Sequence, residues 1–370
     1  MRKERVRMSL HVLAINPGST STKIAWFTDG HEEWRETVRH DPEGLSHFPS
    51  VADQFQFRLD TIAEATASKG ASFDDLSAVA GRGGLVEPVP GGTYLVDDSL
   101  LARLRMGKPW EHASNLGGIL ADAICRPRKI PAFIVDPVAV DEMIPMAKLT
   151  GLKELPKVSL SHTLNVKATV RRAAADLGKM WDELNFVVAH VGGGITVCTH
   201  EKGRMTDLNN ANDFGPFSPE RSGGLPAGDL IRRCLESGLT EKEMLRRVVG
   251  GGGLVAYTGT SDVREVKEMA AKGDRVAKLA YEGMAYWVAR DIGAMAVALS
   301  GKVDAILLTG GVAYDGDFVT LVQKRVQWIA PVLTYPGEDE MPALAEGAFR
   351  VLRDEEKEKI YSDYATGGDR

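Results

Sequence analysis

The sequence predicts an α/β protein in which one strand–bend–strand unit occurs twice, and three stretches carry that prediction. Residues 186–199 read FVVAHVGGGITVCT. The apolar, β-branched run 186–189 predicts a buried strand, and the alternating run 195–199 a second one. Between them Gly192, Gly193 and Gly194 leave backbone N–H groups unshielded, a concavity of the kind that holds phosphate oxygens. Taken alone, the pattern is equally that of a glycine-rich hairpin. Residues 12–27, VLAINPGSTSTKIAWF, repeat the arrangement. Asn16-Pro17-Gly18 is a turn signal, and Ser19, Thr20, Ser21, Thr22 and Lys23 add several donors and one cation. The spacing is not that of the Walker loop, where Gly-Lys-Ser/Thr opens a helix; here a strand, 24–27, follows. A plain polar hairpin is the competing reading. In the third stretch a buried strand over 303–308 runs into Thr309-Gly310-Gly311 and then a helix, which lets a phosphate or ribose approach the backbone.

Bulk properties narrow the class. The chain of 370 residues suggests two domains. Apolar residues make up 44% and charged residues 26%, the balance of an ordinary globular protein. A net charge of −6 argues against a nucleic-acid partner, which selects a basic face. Cys125, Cys198 and Cys234 show neither paired spacing nor a histidine pattern beside them, so we expect a reducing, cytoplasmic setting without disulfides or zinc. The start, MRKERVRMSLHVLAI, resembles a signal peptide superficially, but its apolar run leads into NPGSTSTK and not into a cleavage site. We read it as a flexible basic tail ahead of strand 12–15, with Met8 as an alternative start. No apolar run reaches the roughly 18 residues of a membrane span.

The remaining elements follow in order. Residues 50–69 are broadly helical. Residues 78–79 lead into Gly81-Arg82-Gly83-Gly84, where an arginine set among glycines can reach a ligand, or is simply a solvated loop arginine. Helices are expected over 97–105 and 113–125, then a strand over 130–135 that closes on Asp136-Pro137. A carboxylate at the C-terminal end of a parallel strand sits where α/β sheets bind ligands, although an Asp-Pro turn reads the same way. His162 precedes a helix over 165–177; a lone histidine there is more often structural than catalytic. The Pro- and Gly-rich stretch GPFSPERSGGLPAGDL, 215–230, is a long non-helical segment holding Arg221, and such segments in compact domains are usually functional. A glycine run, 250–253, precedes Thr260, Ser261 and Asp262, each able to cap a helix from 263. Residues 275–299 predict a long helix apolar nearly all round, buried against a sheet or a second subunit. A strand at 332–333 and a helix over 341–352 end the pattern.

As a set, INPGSTSTK, AHVGGG and LLTGGVA resemble the phosphate 1, phosphate 2 and adenosine signatures of the acetate and sugar kinase/Hsp70/actin superfamily. The match is similar to its acetokinase family and, inside it, to the butyrate kinase pattern, through GRGGLVEPVPGGTY, SHTLNVKA, DLNNA, GPFSPERSGGLPAGDL and YPGEDEMPALAEGA. It covers roughly 12–352. Acetate kinases carry asparagine where Gly193 stands and HRVVHGG where this chain has Gly81-Arg82-Gly83-Gly84, which points towards butyrate kinase. The resemblance implies two duplicated ribonuclease-H-like (actin-like ATPase) domains facing across a nucleotide cleft. The first would span 1–135, completed by 341–370, and the second 136–340.

The resemblance also implies roles. Asn16, Ser19, Ser21 and Lys23 match the first phosphate loop. Arg82 matches the arginine that binds the acyl carboxylate, and Asp136 an aspartate beside the metal and the transferred phosphate. His162, His190 and Arg221 match groups at the γ-phosphate. Gly192, Gly193 and Gly194 hold nucleotide phosphates, while Asp262, Arg264, Gly310 and Gly311 border adenosine. Glu338 and Glu340 both fit the glutamate that helps hold Mg²⁺. The implied reaction is ATP plus butanoate giving ADP plus butanoyl phosphate, in a homodimer or larger homo-oligomer with no membrane or nucleic-acid partner. Kinases for acetate, propionate or isobutyrate are near rivals, since one methylene is worth only ~1–3 kcal/mol of discrimination. A non-catalytic nucleotide switch is the rival from another class. Arg82 and Arg221 on glycine-flanked loops speak for a small anion instead.

Overall fold

The structure, a computed structural model, describes residues 9–107 and 113–364. The basic leader and the end of the tail lie outside the described residues. The chain divides into two units: residues up to Val140 together with those from Asp339 onward, and Asp141–Glu338. Asp136 and Glu340 therefore both belong to the first unit, whereas boundaries at 135/136 and 340/341 would place them in the second.

In the first unit β1 (His11–Pro17), β2 (Ser21–Thr28) and β3 (His31–Arg39) form an antiparallel meander. The β2–β3 turn is Asp29-Gly30, both with positive φ, as a tight hairpin of the required twist demands. β4 (Ala78–Arg82) and β6 (Ala132–Val135) add on in parallel, and β5 (Thr93–Leu95) closes the edge antiparallel. The order is β3-β2-β1-β4-β6-β5. Side chains alternate across the sheet. Leu13, Ile15 and Val79 pack with Ile62 of helix Phe55–Ser68 and Leu120 of helix Asn115–Cys125. Val12 and Ala14 face the other way, and helix Glu340–Leu352 covers that side, packing on β1, β4 and β6. There Gly347 abuts Val135 so closely that a Cβ would fall 2.5 Å from its Cγ2.

The motif around Arg82 corrects the sequence reading. Gly81 and Arg82 are not a glycine loop; they are the end of β4, paired with Ile134 and Val135 of β6. Gly81 serves packing, because a Cβ there would stand 2.2 Å from the Gly117 carbonyl oxygen.

The second unit repeats five of the first unit's six strands, all but β5. β7 (Asn185–Val191), β8 (Ile195–Glu201) and β9 (Arg204–Leu208) are antiparallel, while β10 (Ala305–Gly310) and β11 (Val332–Pro336) are parallel to β7. The order, β11-β10-β7-β8-β9, mirrors β6-β4-β1-β2-β3. Val187, Ala189 and Val191 pack on helix Arg275–Ala298 through Met284, Val288 and Ile292. Phe186 and Val188 pack on the opposite side against Val166 and Val170 of helix Thr163–Asp176. Continuous apolar strands are what two covered faces require.

Two expectations change here. Helix Arg275–Ala298 is not buried all round; Val276, Leu279, Tyr286 and Val297 on it are exposed. Its apolar composition is wider than the one face the sheet covers. After β10 the chain makes only a single 3₁₀ turn, Gly311–Tyr314, before helix Gly316–Val326.

Candidate functional site

The first unit holds one group of the candidate residues. β1 and β2 deliver the bend 16–21, and β4 delivers Arg82. Asn16, Ser19, Ser21, Lys23, Arg82 and Glu340 line one cavity of about 270 Å³. Glu340 opens the helix Glu340–Leu352. One of its carboxylate oxygens accepts from Asn16 Nδ2 at 2.5 Å, and the other is ion-paired with the Arg82 guanidinium. Both partners of that ion pair are largely buried, which strengthens the attraction relative to an exposed pair. Asp136 follows β6 in the left-handed region, with φ +40° and 3% exposure. Its Oδ1 accepts from the Gly92 N–H at 2.7 Å. That contact fixes the carboxylate at the sheet's C-terminal edge.

The second unit holds the glycine loop between β7 and β8, and each glycine has a spatial reason. A Cβ on Gly192 would meet Glu338 Oε1 and His190 Nε2, both at 3.3 Å, and one on Gly193 would meet Glu220 Oε1 at 3.3 Å. A Cβ on Gly194 would stand 2.4 Å from Arg221 Nη1. The Arg221 guanidinium thus lies directly over the loop backbone. Ser218 fastens the two segments: its Oγ donates to the Gly193 carbonyl and accepts from the Arg221 N–H. Arg221 Nε is buried without a hydrogen-bond partner among the described residues, while Nη1 reaches only the Ala211 carbonyl at 3.5 Å. Burial lowers the guanidinium's proton affinity, with Glu220 acting against it; arginine stays charged regardless. The glycine run 250–253 is not another anion loop. Cβ atoms on Gly252 and Gly253 would strike the backbone around Ser218, Arg221 and Ser222, so the run is packing beneath the arginine segment.

His162 and His190 stack with centroids 4.0 Å apart and planes 15° from parallel. His162 Nδ1 lies 2.9 Å from Thr196 Oγ1, and His190 Nδ1 lies 2.9 Å from Asn165 Oδ1. Asn165 Oδ1 also accepts from the Thr309 hydroxyl, and its amide nitrogen donates to the Gly337 carbonyl. An amide oxygen only accepts, so His190 Nδ1 carries the proton and Nε2 is left buried. Nε2 lies 3.3 Å from Glu338 Oε1 but makes no hydrogen bond.

Gly192, Gly193, Glu220, Asp262, Arg264 and Gly311 line a cavity of about 1100 Å³ in this unit. A Cβ on Gly311 would meet nothing, whereas one on Gly310, at φ +90°, would strike Val191. Gly310 is demanded by the fold and Gly311 leaves room. Asp262 caps helix Val263–Ala271 through the Arg264 N–H, and the Arg264 side chain turns back on it, holding the carboxyl down to about 2.

The structure thus gathers Asn16, Ser19, Ser21, Lys23, Arg82 and Glu340 around one cavity of the first unit, while Asp136, bonded to Gly92, is not among the residues lining it. In the second it gathers Gly192, Gly193, Gly194, His162, His190, Arg221 and Glu338, with Asp262, Arg264 and Gly311 on the cavity side and Gly310 packed against Val191. Sequence reading missed Asn165 and Thr309, which orient His190, and Arg58, which lies beneath the first bend. Asn165 was within reach as a polar residue on an apolar helix face. Arg58 gave no signal, since a helix surface accommodates arginine freely.

A family model described as the Acetokinase family matches residues 161–329. Among solved structures, the Porphyromonas gingivalis acetate kinase is similar at 18% identity and TM-score 0.79, covering 93% of this chain and 100% of that one. A propionate kinase from Francisella tularensis subsp. tularensis SCHU S4 is similar at 18% and 0.72, covering 91% and 98%. The acetate kinase from Entamoeba histolytica is similar at 14% and 0.75, covering 92% and 99%. At such identity the likeness establishes the fold, two duplicated actin-like ATPase domains.

Proposed function

We propose that this chain, matched by the Acetokinase family model over residues 161–329, transfers the γ-phosphoryl group of ATP to a short-chain carboxylate, with butanoate as the acid. The observation that carries the reading is Arg82. Its guanidinium already engages a carboxylate, that of Glu340, beside the hydroxyl-rich bend 16–21. A bound acid presents the same group to the same fork.

A carboxylate is ionised at neutral pH, its ordinary pKa lying near 4, so the nucleophile needs no general base. The barrier is repulsion between two anions, and it is lowered by fixed cations and donors. Arg82 holds the acid. Arg221, arched over Gly194 with an unpaired Nε, neutralises charge on the moving phosphoryl group. His190, fixed through its Nδ1 bond to Asn165, stands beside the glycine loop, and His162 stacks on it. Gly192–Gly194 and the bend 16–21 receive phosphates, while Asp262, Arg264 and Gly311 border the nucleoside. Bound Mg²⁺ would screen the phosphate charge. No cluster of three or more His, Cys, Asp or Glu exists among the described residues to cage an ion. That suits Mg²⁺, which one or two carboxylates and nucleotide phosphates commonly hold. Asp136 and Glu340 supply those carboxylates in this reading; Glu338 stands beside His190 instead. Butanoate is preferred because Gly193 and the Gly81–Gly84 sequence depart from the acetate kinase pattern.

Incubation with ATP, Mg²⁺ and straight or branched acids of two to five carbons, with hydroxylamine to trap acyl phosphate, tests the reading. The largest kcat/KM is expected with butanoate. A larger value for another acid would replace the substrate, and no hydroxamate with any acid would overturn the kinase.

A further inference from the structure

Arg58 sits in helix Phe55–Ser68 with 0% exposure. Every N–H of its guanidinium is used. Nε and Nη2 donate to Gln54 Oε1 at 3.0 and 2.8 Å, Nη1 to the Ser21 carbonyl and Thr22 Oγ1 at 3.1 and 3.0 Å, and Nη2 to the Gly18 carbonyl at 2.9 Å. All these acceptors are neutral. No carboxylate pairs with Arg58 among the described residues, although buried charges are as a rule paired. The neighbouring His40 adds no negative charge: its Nε2 lies 2.8 Å from Thr22 Oγ1, and burial, then Arg58, lower the ring's proton affinity. Burial likewise lowers the proton affinity of Arg58 itself. The bend held by Arg58 is open to a negative charge on its other side. Gly18 and Ser21 close the bend that lines the 270 Å³ cavity, and Arg58 grips its inner side. Because a peptide's N–H and C=O point oppositely, drawing the Gly18 carbonyl inward turns the Ser19 N–H away from Arg58.

We propose that Arg58 is the positioning residue of the 16–21 bend and the buried counter-charge for a polyphosphate seated on its outer side. It touches no ligand itself. It fixes the donors and supplies a positive charge that pairs with no carboxylate among the described residues. This rests on the kinase reading only in taking the anion to be the nucleotide's phosphates.

The test exploits Gln54. Gln54→Glu keeps the same shape and the same acceptor position while placing a carboxylate on Arg58. A merely structural clasp survives that change or tightens. Titration calorimetry at constant ionic strength with inorganic pyrophosphate, on the full-length protein, is the primary readout. We expect unchanged circular dichroism, a melting temperature no lower than wild type, and pyrophosphate affinity reduced about tenfold. Arg58→Lys, which keeps the charge with fewer donors, is expected to retain more affinity than Arg58→Met wherever both fold. Equal pyrophosphate affinity in wild type and Gln54→Glu, or no pyrophosphate binding by wild type, overturns the proposal. Failure to trap acyl phosphate while pyrophosphate binding still falls in Gln54→Glu would sink the kinase reading alone.

Discussion

Gly194→Ala is a mild substitution by any general scale, yet it should cripple turnover through Arg221. The backbone at Gly194 does not need positive φ. An added methyl would stand 2.4 Å from Arg221 Nη1 and 2.6 Å from Cζ, with no backbone atom as its nearest neighbour. Ordinary contact begins near 3.4 Å, so the guanidinium must retreat by about 1 Å. The end of a flexible side chain gives way cheaply, and stability should fall by well under the ~1–3 kcal/mol of core overpacking. A displacement of 1 Å in a positioning group can cost about 10²-fold in rate, some 2.7 kcal/mol of transition-state stabilisation. Arg221→Ala should cost ~10³-fold or more in kcat with a modest change in ATP affinity. Because both changes act through one guanidinium, the double variant should be little worse than Arg221→Ala. Hydroxamate-trapping kinetics on the four proteins, with melting temperatures alongside, settles the matter. A Gly194→Ala kcat within threefold of wild type, or multiplicative losses in the double variant, would refute the reasoning.

Three further outcomes are expected. Arg82→Ala should raise KM for the acid about 10–100-fold, the range of a hydrogen bond to a charged group, with a smaller effect on KM for ATP; equal losses for both would assign Arg82 to architecture or the nucleotide. Among the cysteines only Cys234 is exposed, and burial pushes Cys125 and Cys198 up to about 12, so a maleimide at neutral pH should label one site in the folded protein and three in denaturant; peptide mapping that finds Cys125 or Cys198 modified under native conditions would contradict the packing. The exposed Val276, Leu279, Tyr286 and Val297 on one long helix favour self-association, so light scattering should give a multiple of the 40.1 kDa chain mass; a monomer at micromolar concentration would dismiss it.

The strongest signals in the sequence were local and repeated. Buried strands announced themselves as β-branched runs, and both anion bends as interruptions rich in glycine or hydroxyls; β1, β2, β7, β8 and β10 sit where those runs lie. β3 was legible but unread: Asp29-Gly30 is a strong hairpin signal, and HEEWRETVR half-buries Trp34 and Val38 on one side. What the sequence hid was long-range. Gly81 looks like a loop residue until Gly117, far along the chain, is seen against it. Arg58 looks like solvated helix surface until the bend around Gly18 closes over it. Glu338 and Glu340 are near neighbours in sequence, and only folding sends one to His190 and the other to Arg82.

The first unit is discontinuous, and that has a consequence for how the protein is made. Its sheet is complete in strands once residue 135 has left the ribosome, but one face awaits helix Glu340–Leu352. Between Val140 and Asp339 the second unit, an uninterrupted segment, must be synthesised first. At about 5–20 residues per second that interval lasts roughly 10–40 s. Throughout it Val12 and Ala14 and their neighbours on that face lack their cover. The second unit can therefore mature while the first is still a half-closed sheet, and the nascent chain offers a holding chaperone a long, sequence-defined window on an apolar surface that the finished protein never shows.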